Sequence, residues 1–213
     1  MSFAMAMGMG FALGLRHAMD ADHVAAVATL LRREQRLLGA MRVGALWGAG
    51  HSATLLAAGA ALIVFQRSWV QRLEGIGEVL VCAMLIGLGL LGLVRASRGA
   101  LVTQRDHPRL GRAAWGAFGV GAVHGLAGTA ATALLAASAT GGRGATMLFL
   151  ALFAVGTITG MSAMTVALSV GLRGAAARSA RVYRGILLVA SALSLAVGLV
   201  LARGLLARWW GAA

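Results

Sequence analysis

Charge is scarce in this sequence, cysteine is nearly absent and lysine is missing altogether. Only 12% of the 213 residues are charged and 60% are hydrophobic, against roughly 25% charged in an ordinary soluble domain. A soluble core could not hide that much apolar surface. The single cysteine, Cys82, lies inside an apolar run, which excludes a disulfide framework, a cysteine metal cluster and redox chemistry by thiol pairs. No GxxxxGK[ST] loop occurs, so the chain does not hydrolyse ATP by itself. Neither HExxH nor a GxSxG elbow is present, which leaves an intramembrane hydrolase with only the "GMSA" around Ser162 in its favour. A net charge of +13 points to nucleic acid in a soluble protein, but here all 19 basic residues are arginine and sit mostly in short connections. That is the pattern of membrane orientation, and no nucleic-acid partner is expected.

What the sequence does have is uninterrupted apolar length. Between Arg112 and Arg143 the only ionisable side chain is His124, and between Arg143 and Arg173 there is none. About 20 apolar residues suffice for a helix to cross a bilayer. The patterning predicts an all-α polytopic membrane protein with six transmembrane helices, over 3–31, 43–65, 77–94, 113–140, 145–172 and 185–203, forming a single transmembrane domain over 1–213. The N-terminal "MSFAMAMGMGFALG" lacks the basic region of a signal peptide and reads as the start of a retained helix. Thirteen arginines fall in the first, third and fifth connections and five in the others and the C-terminal segment. This places the first set in the cytoplasm and both termini outside a bacterial inner membrane, with the lipid bilayer as partner.

The halves 1–104 and 105–213 correspond weakly. "HAMDADHVAAVATLL" from His17 aligns with "HGLAGTAATALLAAS" from His124, and "GHSATLL" aligns with "GMSAMTV", which sets Met161 opposite His51. Three spans reverse direction in the membrane, so the arrangement is a candidate inverted 3+3 repeat, as in many secondary transporters with a site near the midplane.

The first span carries the chemistry. "GLRHAMDADHVAAV" places Arg16, His17, Asp20, Asp22 and His23 in an apolar run, where each charge costs about 2.5 to 3.5 kcal/mol. Such residues usually line an ion or proton path. On a continuous helix, with His17 at zero, Asp20 falls near −60° and His23 near −120°, roughly one face, whereas Asp22 falls near +140°. Asp20 is thus expected beside the histidines. Asp22 needs either local unwinding or a supporting role. His51 and His124 lie roughly 12 and 17 Å deep in their spans, near the middle of a hydrocarbon layer about 30 Å thick. The candidate metal-ligating set is His17, Asp20, Asp22, His23, His51 and His124. Imidazoles with carboxylate and no thiolate favour a late first-row divalent ion over magnesium or calcium.

Other polar or sulfur-bearing residues get plainer readings. Ser52 and Thr54 suit contacts between helices. Met161, Met5, Met7 and Met9 suit apolar packing or lipid. "RDHPRL", with His107 and the sole proline, suits a solvated turn, and Glu74 and Glu78 suit loop solvation.

These residues also carry a resemblance. "RHAMDADHV" resembles the HxxxxDH signature of the nickel/cobalt transporter family, "LWGAGHSATLL" its GHS segment, and "GMSAMT" its GMxxxD motif. "VHGLAGTAATALL" is similar to the fourth-span segment of the shorter, urease-accessory-type nickel permeases of that superfamily. The resemblance implies a permease for Ni(II) and Co(II), not an enzyme and without a cofactor. It carries over His17, Asp20, Asp22 and His23 from the first motif and His51 from the second. Longer members have acidic residues in later motifs where this chain has Thr129, Thr132 and Thr165. Uptake is the favoured direction; efflux, or service as the membrane subunit of an ATP-driven importer, are the alternatives.

Overall fold

A computed structural model describes residues 3–31, 36–64, 67–97, 110–127, 140 and 142–210. Among them the chain is all helical, with α1 (Phe3–His17), α2 (Ala21–Leu30), α3 (Leu37–Val64), α4 (Arg67–Ser97), α5 (Leu110–Gly125), α6 (Arg143–Arg178) and α7 (Ala180–Trp210). Runs of Ala, Leu, Val and Gly can satisfy every backbone group internally only as helix when no water is at hand. Among the described residues, three stretches are long and apolar enough to cross a membrane: Gly75–Ser97, Arg143–Arg178 and Ala180–Arg208. In the last of these only 22% of the most apolar window is buried inside the fold. Its outward Val189, Leu193 and Val200 are therefore free to face lipid.

The helices outrun several expected boundaries. The connection between the fifth and sixth expected spans is itself helical, because α6 continues to Arg178 and α7 restarts at Ala180 after one extended residue, Ser179. No proline or glycine pair falls there to stop the helix sooner. Of the expected fourth span only α5 is described. Gly128, Thr129, Thr132, and the arginine-rich turn with His107 lie outside the described residues.

The expected first span, 3–31, is not one helix. α1 stops at His17 and α2 starts at Ala21. The last turn tightens, with the amides of Met19 and Asp20 donating to the carbonyls of Arg16 and His17 at 2.9 and 3.1 Å. Asp20 is extended (φ −61°, ψ 148°) and caps α2, its carbonyl receiving the Val24 amide at 3.0 Å. The Asp20 side chain makes no capping bond to the helix and pairs with His17 instead, but Asp20 and Asp22 both sit at the positive end of the α2 dipole. The break dissolves the single helical wheel.

Close crossings set the remaining geometry. A Cβ on Gly14 would strike the carbonyl oxygen of Phe153, and one on Gly156 that of Phe11, so α1 and α6 cross backbone to backbone. α3 and α5 repeat the arrangement, Gly121 against the carbonyl of Trp47 and Gly50 against that of Phe118. Small residues permit such approach in membranes, where dispersion and not hydrophobic driving force holds helices together. α4 and α7 run antiparallel, and the Ser194 hydroxyl donates to the Leu85 carbonyl at 2.9 Å. Ser194→Ala should lower stability by only about 0.6 kcal/mol, the usual size for such a bond between membrane helices. Thermal unfolding in detergent will measure it.

Candidate metal centre

The break in the first helix supplies the site's scaffold. Ending α1 at His17 leaves that residue's carbonyl, which already accepts the Asp20 amide, open to a second donor, and the His23 imidazole donates to it from Nδ1 at 2.8 Å. A carbonyl only accepts, so Nδ1 carries the proton and the lone pair of His23 rests on Nε2. That nitrogen is buried without a hydrogen-bond partner. His17 is oriented in the same manner, its Nδ1 donating to Asp20 Oδ2 at 2.9 Å and its Nε2 left facing His51 Nε2 at 3.1 Å. Two nitrogens bound to one ion at about 2.1 Å, at right angles or tetrahedrally, lie about 3.0 to 3.4 Å apart. The spacing already suits a shared cation.

Among the described residues two groups of donors result, each with its ligand atoms within 4.8 Å of one another: His17, His23 and His51, and Asp22, His23 and His124. His23 belongs to both. Its ring lies 5.0 Å from that of His51, 4.6 Å from that of His17 and 4.4 Å from that of His124. His124 reaches the cluster because α5 ends beside it, and its Nε2 donates to Asp22 Oδ2 at 2.8 Å. His51 comes from mid-α3. His23, His51 and His124 are all buried, and Nδ1 of both His51 and His124 has no partner.

The aspartates exchange the places that a continuous helix assigns them. Asp20 turns outward, its side chain 52% exposed, and supports His17 from behind; Asp22 turns inward, 30% exposed, into the second donor group. Restarting the helix at Ala21 resets the angular register, so Asp22 no longer follows from His17 by 100° steps. Five of the six candidate residues therefore converge. Asp20 holds one of them in place. Arg16 is exposed and forms no ion pair among the described residues.

Sequence reading overlooked the aromatic floor. Trp47, fully buried, meets the His23 ring edge-on at 5.5 Å and that of His124 at 5.9 Å, and Phe153 lies against the His17 ring at 5.3 Å. The one available signal was Trp47 standing a helical turn before His51. Ser52 donates to the Ala154 carbonyl at 3.3 Å, the expected contact between helices. Thr54 bonds within its own helix to the His51 carbonyl at 2.9 Å. Met161 is buried in the apolar core, as is Met7, while Met5 is exposed. Thr165 turns back on its own helix, donating to the Met161 carbonyl.

Comparison with known proteins finds a likeness over part of the chain. Residues 3–101 match NicO, described as high-affinity nickel-transport protein. The match covers just under half of the chain. The NicO segment contains α1 to α4, and with them His17, Asp20, Asp22, His23 and His51, whereas His124 lies beyond it. The chain is also 33% identical over 106 residues to the urease accessory protein UreH of Bacillus sp. (strain TB-90), a match covering 47% of this chain and 46% of that protein. The matched region is thus under half the length of that relative. No solved structure matches the chain.

Proposed function

We propose that this protein is a polytopic inner-membrane permease for Ni(II), with Co(II) as a second substrate, that takes the ion up through the donors gathered at the α1–α2 break. The observation that carries this reading is the pair of donor groups sharing His23, each able to hold a divalent ion. The NicO match of the segment holding most of those donors supports nickel as cargo. His17, His23 and His51 form the first ligand set and Asp22, His23 and His124 the second, with Asp20 fixing His17. A broken helix at membrane depth is stable only where it lines a cavity or is buried in protein, and transporters place substrate sites at such breaks.

In this reading α1 and α2 together make the first of six spans, α5 begins the fourth, and the whole chain is one transmembrane domain with both termini outside. An inverted 3+3 repeat is supported by the glycine crossings: Phe11, Gly14 and His17 are each 107 positions before Phe118, Gly121 and His124, while Trp47 and Gly50 are each 106 before Phe153 and Gly156. Phe153 then faces His17 as Trp47 faces His124. Thr157, not Met161, becomes the partner of His51, one helical turn from the pairing that the sequence alignment favours.

The permease is not an enzyme, and the ion is its substrate. Inward movement of a dication gains about 4.6 kcal/mol per 100 mV of inside-negative potential. The test is metal uptake by liposomes carrying the purified chain, comparing Ni(II), Co(II) and Zn(II) with and without that potential. Accumulation of Ni(II) that grows with inside-negative potential is expected. Equal metal content in loaded and empty liposomes would overturn the reading, and potential-independent export from preloaded vesicles would favour efflux.

A further inference from the structure

The cavity that reaches the histidines also carries an ion pair in a lining that is otherwise apolar around Val81, Leu201 and Leu205. About 220 Å³ in volume, it is lined by the donor cluster and, on α4 and α7, by Glu78, Cys82 and Arg208. Glu78 and Cys82 are one turn apart on α4, and Arg208 faces them from the last turns of α7, its guanidinium donating to Glu78 Oε2 at 2.9 Å. The two partners are unequal: the Arg208 side chain is 64% exposed and that of Glu78 26%, so the carboxylate points inward and the guanidinium covers it from outside. Gly77 fastens this turn of α4 to the end of α5, where a Cβ would lie 2.6 Å from the Leu126 carbonyl carbon. Glu78 and His124 line the same cavity. Into the same cavity points His23, fully buried, with Nε2 unpartnered.

Loop solvation, the plain sequence reading of Glu78, does not describe this arrangement. We propose that Glu78 is a binding site for a hydrated divalent cation at the mouth of the cavity, and that Arg208 is the resident counter-ion which the arriving cation displaces. A part-exposed ion pair is worth little, typically under about 1 kcal/mol, so it separates readily. A dication carries twice the charge of Arg208 and can coordinate carboxylate oxygen directly. Once it is on Glu78, the cavity leads it to imidazole donors that bind late first-row ions better than a lone carboxylate does. Arg208 returns to Glu78 when the ion has moved on. A monovalent ion lacks the charge to displace the guanidinium, so the pair also filters by valence.

This inference rests on the proposed nickel transport, but its tests separate the two. In liposomes, Glu78→Gln should raise the Ni(II) concentration for half-maximal uptake roughly three- to tenfold, the loss of one ion contact. Arg208→Gln should lower it, because the carboxylate is then uncovered, and Glu78→Asp should restore most of the wild-type value. A pair that merely staples α4 to α7 would make both neutral variants worse in the same direction. That outcome, or no shift in either, overturns the proposal. The second readout needs no transport. Cys82 is the only cysteine in the chain, and its labelling by a cationic thiol reagent in detergent-purified protein should be faster in Arg208→Gln than in wild type. Ni(II) should slow that labelling in wild type and fail to do so in Glu78→Gln. If Ni(II) protects Cys82 equally in both, Glu78 is not the mouth site even where uptake proceeds. If no variant takes up Ni(II) but protection follows Glu78, the transport reading fails and the cation site stands.

Discussion

Ni(II) uptake by liposomes carrying His23→Ala should fall more than about 100-fold, since loss of even a supporting hydrogen bond near a metal commonly costs 10- to 100-fold. His23 is the shared member of both donor groups, so its removal leaves each with two ligands. No neighbour can replace it, because His51 and His124 come from other helices whose glycine crossings fix their positions. The same assay separates the aspartates. Asp22→Asn should approach the His23→Ala loss, for the amide removes the charged carboxylate from the second donor group even though its oxygen can still accept from His124 Nε2. Asp20→Asn should cost about tenfold or less, because an amide oxygen can still accept from His17 Nδ1. Equal losses at the two positions would contradict the assignment of Asp20 to support and Asp22 to the donor group. Direct titration of Ni(II) binding in detergent checks both without reliance on transport.

The largest effect on stability is expected at the crossing of α3 and α5. Gly121→Leu drives a branched side chain into the Trp47 carbonyl, and the first collision is at Cβ, before any rotamer can relieve it. The helices must separate. We expect a loss of about 3 kcal/mol or more, at the upper end for overpacked positions. Gly119→Leu, on the same helix but exposed and with nothing within 4 Å of its added Cβ, should change stability by less than about 1 kcal/mol, since leucine is the better helix former. Thermal unfolding of the two variants in detergent gives the comparison. Similar midpoints for both would mean that the α3–α5 crossing does not bear on stability. Because His51 and His124 sit on the two crossing helices, Gly121→Leu should also lose Ni(II) binding where it remains folded.

Which parts of this protein were legible in its sequence follows from the range of the forces involved. Helix formation in an apolar run is local, since each amide finds its carbonyl four residues away, and the all-helical class could be read without any tertiary contact. The cost of Arg16, Asp20 and Asp22 in such a run is likewise a property of composition, so the region of the site could be marked from the first motif alone. His51 and His124 could be nominated by depth. Their meeting with His23 could not be known, because it depends on crossings such as that of Gly50 and Gly121, 71 positions apart, and sequence gives no sign of which glycine meets which carbonyl.

The break at residues 18–20 marks the boundary most sharply. A pattern of polar residues in an apolar helix is compatible with a continuous wheel and with a helix that stops and restarts, and their local energies differ little. Only the tertiary setting chooses. The amides at the break bond back to the carbonyls of Gly14, Arg16 and His17, the His23 imidazole adds a second donor to the His17 carbonyl, and the register shift carries Asp22 inward while leaving Asp20 outside. Likewise Glu78 read as a solvated acid, because an ion pair with Arg208 across 130 positions leaves no trace in local sequence. The sequence by itself determined an all-helical, strongly apolar chain with a costly His/Asp motif; the tertiary structure decided which of those side chains meet, because that depends on helix crossings and a chain break set by long-range packing.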